Sequence, residues 1–199
     1  MRSICEQVVL RLDGTAPGYL AGLLDGAALA VDRARRRQSV SVVWTGPESH
    51  VTSSRLTAAT VVDLVSQAKA EILLVSFATQ TDQLISVALH QASVRGVAIT
   101  LLAERHADNP SYSGVSVPFP GLEALRLYWP ASERQPGAAL HAKIIVIDDR
   151  IALVGSANLT SRAMETNLEC GILVRGGSQP RAIREHVADL YAAGCLRQL

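Results

Sequence analysis

His141 and Lys143 stand one residue apart in LHAKIIVIDDRIALVGSAN (residues 140–158), and Ser156 and Asn158 repeat that spacing near its end. Side chains in a strand alternate between faces, so each pair shares a side if the flanking apolar runs are strands. Leu140 and Ile144–Ile147 supply one such run and Ile151–Val154 the other, with Asp148-Asp149-Arg150 marking the turn between them. Gly155 gives the chain freedom to leave the second strand. One patch therefore gathers an imidazole, an ammonium, a hydroxyl and a carboxamide. An imidazole is neutral above about pH 6.5 and can act as nucleophile or base. The other three groups can hold an anion.

The full pattern, His141-x-Lys143-x4-Asp148-x6-Gly155-Ser156-x-Asn158, resembles the HKD motif of the phospholipase D superfamily. The resemblance implies that His141 attacks phosphorus to form a phosphohistidine while Lys143 and Asn158 hold the phosphoryl oxygens. Ser156 is expected to donate to the same oxygens or to buttress the turn. The family commonly places a Glu after the motif to orient the His. Glu169 stands in that position and is expected to accept from the far ring nitrogen of His141. Asp148, at the hairpin turn, is expected to hold the loop. The implied fold is α/β, a mixed and mostly parallel sheet flanked by helices, with one HKD domain per chain.

Around this stretch the chain reads as an extension, residues 1–38, followed by a domain at 39–199. Residues 1–12 suit a short helix. Pro17 suits the first turn of a second helix reaching about residue 37, whose last turn carries Arg33, Arg35, Arg36 and Arg37. These arginines fit either a solvated helix end or a phosphate-backbone contact. A strand follows at 39–44 and a helix at 58–69 with Thr57 as its cap. Then come strand 71–78, helix 82–94 near Asp82, strand 97–103, an irregular stretch 104–121, a helix or strand at 122–129, and a loop at 130–137. After the hairpin, a strand at 170–175 and a helix at 179–196 close the chain. Tyr128 and Trp129 fit either core packing or a platform for a base.

Composition narrows the partners. With 48% hydrophobic and 4% aromatic residues the core is aliphatic, and the net charge of +1 excludes a globally basic binder. Seventeen arginines against two lysines suit phosphate recognition. Cys5, Cys170 and Cys195 form no C-x-x-C and are expected to be reduced. No run of about 18 apolar residues announces a membrane span, and no signal-like apolar core opens the sequence, so the expected location is cytoplasmic. The five histidines show no metal-ligand spacing, and neither metal nor cofactor is expected.

Segment Trp44-Thr45-Gly46-Pro47, with Arg55-Leu56-Thr57 before the next helix, resembles the phospholipase D-like component of the DISARM phage-defence system. Arg55 is a candidate substrate contact, and His50 and His106 are candidates for a second acid. The expected activity is metal-independent phosphodiester hydrolysis, with DNA favoured. The alternatives are a phospholipid phosphodiesterase and a catalytically silent phosphate- or nucleic-acid-binding subunit of a defence complex. Two-step transfer needs a second acid–base group. Neither His90 nor His106 has a Lys two residues on, so the resemblance implies a homodimer whose two His141 residues share one site. Other defence subunits are possible partners.

Overall fold

A computed structural model describes residues 14–47, 57–77, 82–112, 114, 115 and 117–199. The chain forms two units, Met1–Ser39 and Val40–Leu199. In the first, helix α1 (Pro17–Arg37) opens with Pro17 in its first turn, where a missing N–H costs nothing. Leu23, Leu24, Leu29 and Val31 are exposed along it, as is Arg33. The expected helix at 1–12, the side chains of Arg35–Arg37, His50 and Arg55 lie outside the described residues.

Strand β1 (Gln38–Thr45) runs into the second unit. There follow α2 (Thr57–Gln67), β2 (Glu71–Ser76), α3 (Gln83–Val94), β3 (Ala98–Ala103) and β4 (Leu125–Tyr128). The hairpin strands are β5 (Ile144–Ile147) and β6 (Ile151–Gly155), and then come α4 (Ser161–Glu165), β7 (Glu169–Gly176), α5 (Gln179–Ala192) and β8 (Arg197–Gln198). Among the described residues the strands form one sheet in the order β1-β7-β6-β5-β2-β3-β4-β8.

The sheet is mixed and flanked by helices, as expected. Its parallel pairs, β2–β3 and β3–β4, are fewer than anticipated. Pairs β2–β5, β5–β6, β6–β7 and β4–β8 are antiparallel, and of these β5–β6 is a direct hairpin.

The central strands are apolar through most of their length because both faces are covered. Ile72, Leu74, Ile145 and Ile147 face a core shared with Val61, Leu64, Val65, Ile85 and Leu89 of α2 and α3. The alternate residues Leu73, Val75 and Val146 pack with Val187 of α5 on the other face. The period of two thus sorts each strand between two hydrophobic layers.

Three boundaries differ from the sequence reading. Thr57 begins α2 rather than capping it: its N–H donates to Thr45 Oγ1 at 3.3 Å, and the two hydroxyls bond each other. Helix α5 ends at Ala192, with Gly194 at φ 78°, and the chain returns as β8 beside β4 instead of continuing as helix to 196. His141 and Lys143 precede β5 as irregular chain, although the Gly155 N–H still donates to the Lys143 carbonyl at 3.1 Å.

At the far end of β5, Asp148 and Asp149 take φ of 51° and 56°, a region that aspartate enters more readily than most residues. The Asp148 carboxylate accepts from the amides of Lys69 (2.9 Å), Ala70 (2.8 Å) and Glu71 (2.9 Å), tying the hairpin turn to the start of β2. Burial pushes its pKa up, but the Glu71, Ala70 and Lys69 amides outweigh this and hold it below the ordinary value. A depressed carboxyl stabilises the fold above its unfolded pKa, and that contribution fades as pH falls through the folded one. Asp148→Ala is therefore expected to cost about 1–3 kcal/mol at neutral pH. The loss should shrink below about pH 4, as thermal melts across pH will show.

Candidate active site

The end of the sheet opposite Asp148 carries the chemistry. His141 is exposed and Lys143 half-buried. Lys143 Nζ lies 3.0 Å from His141 Nδ1 and donates to the His141 carbonyl at 2.7 Å. An ammonium has only donors, so Nδ1 is the acceptor in this contact. Burial pushes the Lys143 pKa down and the Glu169 charge opposes this, leaving it below the ordinary value. The Phe77 ring, immediately after β2, flanks both groups: its centroid is 5.2 Å from that of His141 and 5.6 Å from Lys143 Nζ. Tyr112, from the 104–121 stretch, meets Phe77 edge-on at 5.7 Å. Beneath Lys143 a chamber of about 20 Å³ opens among Val43, Val61, Ile145, Leu153 and Met164.

Strand β6 delivers Ser156 and Asn158 to the same end. Ser156 Oγ donates to Glu169 and accepts from the Cys170 N–H at 3.2 Å, while the Ser156 N–H donates to the Cys170 carbonyl at 3.0 Å. Asn158 is half-buried, and the buried Ser76 hydroxyl receives the next amide, Leu159 N–H, at 3.2 Å. Asp82 caps α3 through Leu84 and Ile85 and also accepts from Ser161 Oγ at 3.3 Å. Ser76 and Asp82 thus tie the 159–161 segment to the end of β2 and the cap of α3. Gly155 lies opposite Gly171 in the ladder. A Cβ on Gly155 would come 2.8 Å from the Cys170 carbonyl oxygen and 2.9 Å from Gly171 Cα, so only glycine lets β6 and β7 approach there.

His141, Lys143, Ser156 and Glu169 are thus linked by contacts or charge, with Asn158 two residues beyond Ser156. The partner expected for Glu169 is not the one observed. Its carboxylate serves Ser156 and Asn167 Nδ2 (3.1 Å) and faces Lys143 electrostatically, while the His141 nitrogen assigned to it is met by Lys143. The reason is its place at the start of β7, directly before the Cys170 that pairs with Ser156. Asp148 belongs to the opposite end and holds backbone, as its turn position implied. Tyr128 and Trp129 are covered by guanidinium groups, Arg105 at 3.3 Å and Arg134 at 5.0 Å from the ring centroids.

Two contributors escaped the sequence reading. Phe77 was hidden in an apolar strand end. Glu104 stands at the end of β3 with its side chain fully buried, paired with Arg134 at 2.7 and 2.8 Å. The signal available for Glu104 was a carboxylate directly after a buried strand, where open α/β sheets place their sites.

Residues 61–190 match the family described as "Cardiolipin synthase, PLD-like domain". Cardiolipin synthase A of Pseudomonas putida (strain W619) is 34% identical over 92 residues, 46% of this chain and 19% of that protein. The namesake from Pseudomonas aeruginosa (strain LESB58) is 32% identical over 108 residues, 54% of this chain and 22% of its own length. The chain spans about a fifth of these curated relatives. Among solved structures, Nuc from Salmonella typhimurium, a phospholipase D family member, superposes with a TM-score of 0.59 at 22% identity, covering 81% of this chain and 98% of its own. NucT from Helicobacter pylori gives 0.61 at 15%, covering 78% and 96%. Phosphatidylserine synthase from Haemophilus influenzae Rd KW20 gives 0.61 at 16%, covering 81% of this chain and 40% of its own. These structures share the fold, and with the matched residues spanning more than half the sequence, the chain belongs to the phospholipase D-like family.

Proposed function

We propose that the chain is a metal-independent phosphodiesterase working through a phosphohistidine, with DNA as the favoured substrate. The observation that carries it is the meeting of His141 and Lys143 beside Ser156 and Glu169 at one sheet end, next to the Asn158 turn. In the first step His141 Nε2 attacks phosphorus, the P–N bond forms and the ester P–O bond breaks, and the alcohol leaves with a proton from a second group. In the second step that group takes a proton from water, the water oxygen bonds phosphorus, and the P–N bond breaks. The substrate's phosphoryl oxygens draw Lys143 from its resting bonds, joined by Asn158 and Ser156.

One H-x-K motif supplies one nucleophile, and a two-fold dimer supplies the second group from a partner's identical site. DNA is favoured by the dominance of arginine, whose planar fork suits phosphate. The Trp44–Pro47 resemblance adds a cytoplasmic phage-defence setting, with other defence subunits as partners. A phospholipid substrate is the second reading, supported by the identity to proteins named cardiolipin synthase A. Arg55 remains a proposed substrate contact.

Plasmid DNA, single strands, RNA and cardiolipin vesicles should be assayed in parallel with a chelator present. Cleavage of DNA that survives chelation is expected. Activity that vanishes on chelation, with the protein still folded, would overturn metal independence, and turnover of the lipid alone would establish the second reading. Phosphate binding without turnover of any substrate would indicate the silent subunit.

A further inference from the structure

The segment carrying His141 is irregular, yet it is held at both ends. On one side the Lys143 carbonyl accepts from Gly155 N–H at 3.1 Å. On the other the Leu140 N–H donates to Glu104 Oε2 at 3.0 Å. Glu104 also accepts from Arg134 Nη1 (2.8 Å) and Nη2 (2.7 Å), Arg105 N–H (3.1 Å) and Asn109 Nδ2 (3.5 Å). Arg134 in turn donates through Nε to the Trp129 carbonyl at 2.9 Å. One carboxylate therefore joins the end of β3, the turn after it, the 129–134 segment and the residue before His141.

Burial of such a pair is not in itself evidence of a stabilising role. The Glu104 and Arg134 side chains are 0% and 3% exposed, and buried ion pairs are often replaceable by apolar residues at no net cost. What an apolar pair cannot do is accept the Leu140 N–H and fix its direction. A multiply bonded, desolvated carboxylate has little freedom to move. Burial pushes the Glu104 carboxyl up in pKa, and its bonds to Arg134, Arg105 and Leu140 more than reverse this, so the acceptor is held charged.

We propose that Glu104 is a positioning residue for the nucleophile: gripped by Arg134, it fixes the Leu140 amide and thereby the reach of His141 toward phosphorus. The proposal rests on the phosphohistidine reading of this site. Two changes test it with bis(4-nitrophenyl) phosphate as substrate. The first is Glu104→Gln, which keeps the shape but loses the charge. The second is an amide-to-ester replacement at Leu140, which deletes one donor and leaves the ion pair intact. Each should lower kcat about 10–100-fold, because a misplacement of about 1 Å costs on the order of 10²-fold. KM should stay within about twofold, since Lys143 and Asn158 are untouched.

The His141 ring carbon–proton resonance, assigned by its loss in His141→Asn, should shift in both variants. Unchanged kcat with an unmoved His141 resonance would overturn the proposal, as would a rise in KM that accounts for the whole loss. If Glu104→Gln does not fold, the ester protein decides by the same readings. Should the wild type fail to turn over any phosphodiester, the hydrolase reading falls, while the His141 resonance still decides the positioning role.

Discussion

His141→Asn is expected to reduce turnover by more than about 10⁴-fold, since loss of a covalent nucleophile removes the whole two-step route. The fold should survive, because His141 is exposed and, among the described residues, its ring meets Phe77 and Lys143. Single-turnover assays with a labelled phosphodiester should show neither product nor a trapped phosphoprotein. Mixing this variant with wild type carries the test to the shared site. After confirmed subunit exchange, activity should fall below the wild-type fraction, because each mixed dimer lacks one of two histidines. Wild-type cleavage by His141→Asn would end the assignment, and strictly proportional activity would end the shared site.

The second large effect is expected at Lys143. Lys143→Ala should lose about 2.7–4 kcal/mol of transition-state stabilisation, or roughly 10²–10³-fold in kcat, the cost of one missing donor to a developing anion. Lys143→Arg should recover only part, because a guanidinium presents its donors in a different plane. The pH profile carries a sign as well. The ammonium is the active form, so wild-type activity declines as pH rises through a Lys143 pKa below the ordinary lysine value. That alkaline limb should be missing in Lys143→Ala, as kcat profiles will reveal.

The parts of this site legible in sequence were those whose identity is tied to fixed spacing. His141 and Lys143 directly precede β5, and Ser156 and Asn158 directly follow β6, so the hairpin between them carries both pairs to one sheet end. The apolar runs of β2, β3, β5 and β6 were equally plain, because burial in the sheet leaves few polar residues among them. What escaped depends on contacts between distant segments. Glu104 meets Leu140 across 36 residues, and Ser76 meets Leu159 across 83. Glu169 bonds Ser156 and Asn167 rather than the His141 expected for it, since the β6–β7 pairing decides which side chain it faces. Strand β8 is two residues long, too short to show any period.

Gly155 adds something about how such a site decays. It touches no substrate in the proposed mechanism; it is set by the closeness of β6 to the Cys170 carbonyl and Gly171. Asp148 likewise serves the backbone. The six-residue pattern is therefore two signatures overlaid, one for chemistry and one for closing the hairpin, and they are lost by different routes. A descendant that drifts at His141 or Lys143 keeps a folded phosphate cradle and can persist as a pseudoenzyme. One that drifts at Gly155 first loses the cradle along with the chemistry. Among silent relatives, Gly155 and Asp148 should outlive the histidine.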